Sequence, residues 1–174
     1  MKEYSNFDAL GLAELVETKQ VSPEELLEAA ISGVEEINPS INAVVQKMYD
    51  EAKEGISSGL PAGPLTGVPF LLKDIRASYK GVPTTSGSRF LSSYIPTSDS
   101  ELVSRYKRSG LVIFGKTNTP EFACCPSTEG ALFGATRNPW NVDLSAGGSS
   151  GGASAAVASR VVPAAHGSDG GGSI

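Results

Sequence analysis

The chain has 174 residues, 40% of them hydrophobic and 19% charged, which suits one domain with a real core and argues against disorder. Its net charge is −5, and the one dense basic patch, Arg105, Lys107 and Arg108, reads as a solvated helix end, so direct nucleic-acid binding is excluded. The opening MKEYSNFDALG has no apolar run, and no segment reaches the roughly 20 apolar residues of a membrane span, so neither a signal peptide nor membrane contact is expected and the setting reads as cytoplasmic.

An amphipathic helix is predicted from about Asp8 to Lys19, with Leu10, Leu12, Leu15 and Val16 on one side. Ser22, Pro23 and Glu25 mark the start of a second helix as N-cap, first helical residue and capping box. Its apolar residues Leu26, Leu27, Ala30, Ile31, Val34 and Ile37 follow a 3.6-residue period, and Asn38-Pro39 is expected to end it. Ala43–Val45 reads as a short strand, Lys47–Ile56 as a helix and Gly59–Gly67 as a loop. Val68–Leu72 is a continuous apolar run, as a strand buried on both faces requires, with Lys73 directly after it. Thr84–Arg89 is a polar loop. Ser98–Ser109 is a helix closed by Gly110, and Leu111–Phe114 is a second buried strand ending at Gly115-Lys116. Pro120–Asn141 reads as mostly irregular, with Trp140 packed in the core. Gly152–Ser159 is a helix of small residues, and Arg160–Ala164 a third short strand. The order predicts an α/β fold: a mixed, largely parallel sheet flanked by helices and preceded by a helical pair.

The two cysteines, Cys124 and Cys125, are adjacent. That spacing disfavours a bridge between them, and two ligands alone make no metal site, so they read as structural in a reduced setting. With one histidine, His166, the usual Ser–His–Asp set is not expected; neither a metal nor a cofactor is implied. The segment GGSSGGASAAVASRVVPAAHGSDGGGSI (147–174) sets Ser149 and Ser173 in glycine-rich turns. A serine hydroxyl needs a base to become a nucleophile. A lysine serves if burial keeps it neutral, and Lys73, after Phe70, Leu71 and Leu72, stands where such a base is needed. Ser–Lys pairs are a known variant of triad chemistry.

This segment resembles the signature of the amidase signature family. GVPFLLKDI around Lys73, GKTNTPEF at 115–122 and FGATRNPWN at 133–141 agree in order and spacing, and the likeness runs from about residue 8 to the end. The resemblance implies a hydrolase that cleaves a carboxamide C–N bond. Ser173 would attack, Ser149 would relay the proton after a cis Gly148–Ser149 peptide, and Lys73 would be the general base. It also implies an oxyanion hole from the backbone N–H groups of Gly170, Gly171, Gly172 and Ser173, an acyl-binding segment near Ala123, and support from Ser150, Ser168 and Asp169. Gly170 stands where threonine or isoleucine is frequent. His166 stands where an aliphatic residue is frequent, and reads as structural, with polarity tuning the other reading. Family chains are longer, so residues 1–174 are expected to be the N-terminal part of a single amidase domain, truncated after the nucleophile, with a helical pair at about 8–38 and an α/β core at about 42–174. A second copy, or the rest of a longer chain, would be its partner.

Some readings stay open. Taken alone, GGSSGG is linker text, but the alanine-rich helix and the apolar VVPAA that follow oppose that. FGKTN lacks the glycine spacing of a phosphate loop. Within the family, the amidase subunit of the glutamine-dependent amidotransferase that acts on misacylated tRNA shares the same motifs. An inactive fragment serving as an interaction module is the third reading.

Overall fold

The structure, a computed structural model, describes residues 4–174. Helix α1 (Ala9–Glu17) starts at Asp8, whose carboxylate accepts the Gly11 N–H at 2.8 Å. Helix α2 (Pro23–Ile41) opens on the predicted capping box: Ser22 Oγ accepts the Glu25 N–H and the Glu25 carboxylate accepts the Ser22 N–H. The helix does not stop at Asn38-Pro39 but runs on to Ile41. Pro39 lies in the last turn, where its missing N–H removes only one bond, and Asn42 closes the helix in the left-handed conformation, φ 50°. Asn38 then ties the helix to the next strand, its amide oxygen accepting the Ala43 and Val44 N–H groups, both at 2.8 Å.

Strand β1 (Val44–Lys47) and helix α3 (Tyr49–Ser57) follow. Strand β2 (Pro69–Lys73) is buried at every position, as the unbroken apolar run requires. Helix α4 (Glu101–Arg108) carries its three basic residues in the last turn, where they complement the helix dipole. Strand β3 (Val112–Thr117) is also fully buried and outruns its prediction by three residues, Gly115, Lys116 and Thr117. The polar residues ended the apolar pattern without ending the strand. These strands form one sheet in the order β1-β3-β2, with β2 parallel and β1 antiparallel to β3. The fold is therefore the mixed α/β arrangement expected, with Leu12 of α1, Leu26 and Leu27 of α2 and Phe114 of β3 in one core.

Two short ladders interrupt the stretch predicted as irregular. Strands β4 (Glu129–Gly130) and β5 (Gly134–Ala135) pair, as do β6 (Arg137–Asn138) and β7 (Asn141–Ser145). Trp140, predicted to be core, lies at the β6–β7 turn and is 85% exposed. Cys124 and Cys125 are exposed rather than packed. Helix α5 (Gly151–Ala158) lies against β2 and β3. Arg160–Ala164 forms no strand. Arg160 is left-handed (φ 58°) and Pro163 lacks a ladder donor, and the chain meets β2 just past this segment, at a parallel bridge between Leu71 and Ala165. Val161 and Val162 are apolar because they are buried, not because they are extended.

Candidate active site

Lys73 is the last residue of β2 and is completely buried. Its Nζ lies 2.8 Å from Ser149 Oγ, 2.9 Å from Ser150 Oγ, 3.1 Å from Ser173 Oγ and 3.3 Å from the Ser168 carbonyl. The hydroxyls also meet one another: Ser173 Oγ is 2.8 Å from both Ser149 Oγ and Ser150 Oγ. Among the described residues no carboxylate forms an ion pair with Lys73. Burial thus dominates and lowers its pKa from 10.5 to about 8, only partly opposed by the charge of Asp169.

The serines arrive from two turns. Ser149 follows a cis Gly148–Ser149 peptide, as the resemblance implied. Its carbonyl accepts the Thr119 hydroxyl at 3.0 Å, and the Gly147 carbonyl accepts the Thr128 hydroxyl at 2.9 Å. Ser150 is the N-cap of α5; its Oγ donates to the Ser168 carbonyl at 3.2 Å. Ser173 is held by the Ser149 N–H on its Oγ (3.2 Å) and the Ser150 N–H on its carbonyl (3.3 Å).

Asp169 folds the last turn around its carboxylate. Oδ1 accepts the N–H groups of Gly171 and Gly172, and Oδ2 accepts that of Ile174 at 3.0 Å. These donors, led by Gly172, hold the carboxyl far below the usual carboxylate range. The glycine turn is thus a concave set of N–H groups already gathered on an anion.

Ser149, Ser173 and the glycine turn line an open cleft of about 540 Å³, with Phe122, Ala123, Cys124 and Cys125 forming the facing wall. Phe122 and Ala123 both adopt left-handed backbone (φ 52° and 57°), which turns the chain sharply into this wall.

The structure adds a second buried lysine to the one expected. Lys116 of β3 lies 3.6 Å from Asp74 and donates to Thr84 Oγ1 at 2.8 Å and to the Pro83 carbonyl. Asp74 accepts from the N–H and hydroxyl of Thr85. Burial lowers the Lys116 pKa, opposed by Asp74, and raises that of Asp74, opposed first by the Thr85 hydroxyl and then by Lys116. The signal was a lysine directly after the apolar run LVIFG, the same pattern that singled out Lys73. The two lysines differ in what meets them: a carboxylate for Lys116, hydroxyls and a carbonyl for Lys73.

The family model described as Amidase matches residues 25–174. The chain is 46% identical to the 6-aminohexanoate-cyclic-dimer hydrolase of Paenarthrobacter ureafaciens over 96% of its own length and 34% of the relative's. It is 41% identical to a subunit of the glutamyl-tRNA(Gln) amidotransferase of Acidothermus cellulolyticus, covering 95% of this chain and 34% of that one. Among solved structures, a bacterial aryl acylamidase of the amidase signature family superimposes with a TM-score of 0.90 at 43% identity, over 97% of this chain and 36% of the other. The chain thus spans about a third of the length of the relatives it matches. Because the match runs from within α2 to Ile174, and so takes in Lys73 and all the serines around it, this chain belongs to the amidase family.

Proposed function

We propose that the protein hydrolyses a carboxamide through Ser173, Ser149 and Lys73. The observation that carries this reading is the Lys73 amine, buried without an ion-pair partner among the described residues and within 3.1 Å of the Ser149 and Ser173 hydroxyls. Neutral Lys73 accepts the Ser149 proton while Ser149 takes that of Ser173, and Ser173 Oγ bonds to the carbonyl carbon. Ser149 then returns a proton to the departing nitrogen, the C–N bond breaks, and water later cleaves the Ser173 ester to release the acid. The N–H groups of Gly170, Gly171, Gly172 and Ser173 receive the carbonyl oxygen as it becomes an oxyanion. For that role the Gly171 and Gly172 N–H groups must turn from Asp169 toward the substrate. Ala123 and its neighbours bound the acyl side, while Ser168 and Asp169 shape the turn.

Residues 8–38 and 42–174 are read as the helical pair and core of one amidase domain, whose remaining length is supplied in the relatives by residues beyond this match. The likeness to the amidotransferase supports a second reading, in which glutamine is the amide and a partner receives the ammonia. Glutaminase activity that emerges only with added partner subunits would favour it.

The test is labelling of the full-length protein with a fluorophosphonate. An adduct is expected on Ser173, absent in Ser173→Ala, with a rate that rises with pH around a midpoint near 8 as Lys73 loses its proton. No adduct on folded protein, or one insensitive to Lys73→Ala, overturns the reading and favours an inactive interaction module.

A further inference from the structure

We infer that His166 is a positioning residue for Lys73, its imidazole standing in for a backbone carbonyl at the end of β2. The chain around Ala165 runs parallel to β2, bridging to Leu71, and the His166 N–H donates to the Leu71 carbonyl at 2.8 Å. In a parallel ladder the next bond runs from the Lys73 N–H to the His166 carbonyl. Here the Lys73 N–H donates instead to Nδ1 of the His166 ring, at 3.3 Å. The side chain takes the place of its own main-chain oxygen.

That exchange has two consequences. The backbone is freed to leave the sheet at Gly167, which brings Ser168 over Lys73, where its carbonyl accepts from Nζ at 3.3 Å. The N–H of Lys73, a fully buried residue, still has an acceptor, as buried backbone requires. An aliphatic side chain at 166 would allow the first and forfeit the second.

An accepting Nδ1 fixes the tautomer: the proton sits on Nε2 and the ring is neutral. The surroundings favour that state. His166 is buried, with Lys73 of β2 bonded to its ring through the main-chain N–H and Tyr106 of α4 beside it, ring centroids 5.9 Å apart. Burial first, and then the charge of Lys73, lower the imidazole pKa to about 4. The inference rests on the reading of Lys73 as the base, but its structural half is tested without activity.

The ¹⁵N NMR signals of the His166 ring in the full-length protein should show an unprotonated Nδ1 and a protonated Nε2 from about pH 5 to 9, given a pKa of about 4. His166→Leu, which removes the acceptor, should slow fluorophosphonate labelling of Ser173 at saturation about tenfold, the effect of one lost hydrogen bond, with little change in the half-saturating concentration. His166→Asn, whose side-chain oxygen can accept the same N–H, should recover most of the rate. A purely structural role would leave the saturated rate unchanged in every variant that folds. A protonated Nδ1 at neutral pH, a folded His166→Leu with the wild-type rate, or a folded His166→Asn as slow as His166→Leu each overturns the inference. Should His166→Leu not fold, the ring tautomer and the His166→Asn rate decide. Labelling indifferent to Lys73→Ala would sink the catalytic reading alone, since the tautomer is read independently.

Discussion

Two hydroxyls occupy nearly the same station between Lys73 and Ser173. Ser149 and Ser150 stand 2.8 and 2.9 Å from the amine, and each is 2.8 Å from Ser173 Oγ. Distance alone assigns neither as the proton relay; the remaining partners of each do. Ser150 Oγ donates to the Ser168 carbonyl and accepts the Ser168 N–H, so its proton and one lone pair are engaged in holding the last turn. Ser149, unlike Ser150, lines the cleft, where a leaving nitrogen would need its proton. Ser149→Ala is therefore expected to slow labelling of Ser173 by about 10²–10³-fold, in the range of a lost acid–base group, and Ser150→Ala by only about tenfold. Saturated labelling rates of the two variants check this, and the reverse order would move the relay to Ser150.

At the scale of elements, the site depends on how closely α5 approaches the sheet. A Cβ built on Gly152 would collide with the Asn118 nitrogen and lie 2.7 Å from the Ala43 carbonyl oxygen, and the Gly152 N–H donates to the Asn118 carbonyl at 3.2 Å. These neighbours are backbone and cannot swing aside. Gly152→Ala should destabilise the protein by about 3 kcal/mol, combining overpacking with a strained hydrogen bond, whereas Gly170→Ala, with nothing within 4 Å of its Cβ, should change stability by less than about 0.5 kcal/mol. Urea denaturation compares them, and equal effects would contradict the packing account. The same contacts explain what could be read in advance. Capping residues and unbroken apolar runs are local signals, so α2, β2 and the small-residue helix were legible, as was Lys73 at a strand end. The role of Lys116 is not legible in sequence, because it depends on Asp74 and Thr84, brought to it only by the fold. His166 was noticed as unusual, but its bond to the Lys73 N–H exists only where the chain leaves β2. Trp140 and the β6–β7 hairpin were misread because an apolar residue at an exposed turn looks in sequence like one in a core.

For the whole molecule, the buried amine sets function against stability. A lysine whose pKa falls from 10.5 to about 8 on folding binds fewer protons folded than unfolded between those values. The penalty is absent above about 10.5, grows as pH falls, and is complete below about 8, where it amounts to about 3 kcal/mol for the fully buried side chain. Lys116 shares this effect, since burial lowers its pKa to about 8 even with the Asp74 carboxylate beside it. Lys73 has no such partner among the described residues, as the proposed role of a base that surrenders its proton near neutrality requires. Lys73→Met should therefore gain stability relative to the parent most strongly below pH 8, and that gain should shrink by about 3 kcal/mol by pH 10.5. Urea denaturation of both proteins from pH 7 to 10.5 measures the difference, from which the titrations of Tyr4, Tyr49 and every other shared group cancel. A difference that stays level with pH would mean that Lys73 is charged when folded and that its burial costs nothing, and a lysine held so firmly as the ammonium could not take the proton of Ser149.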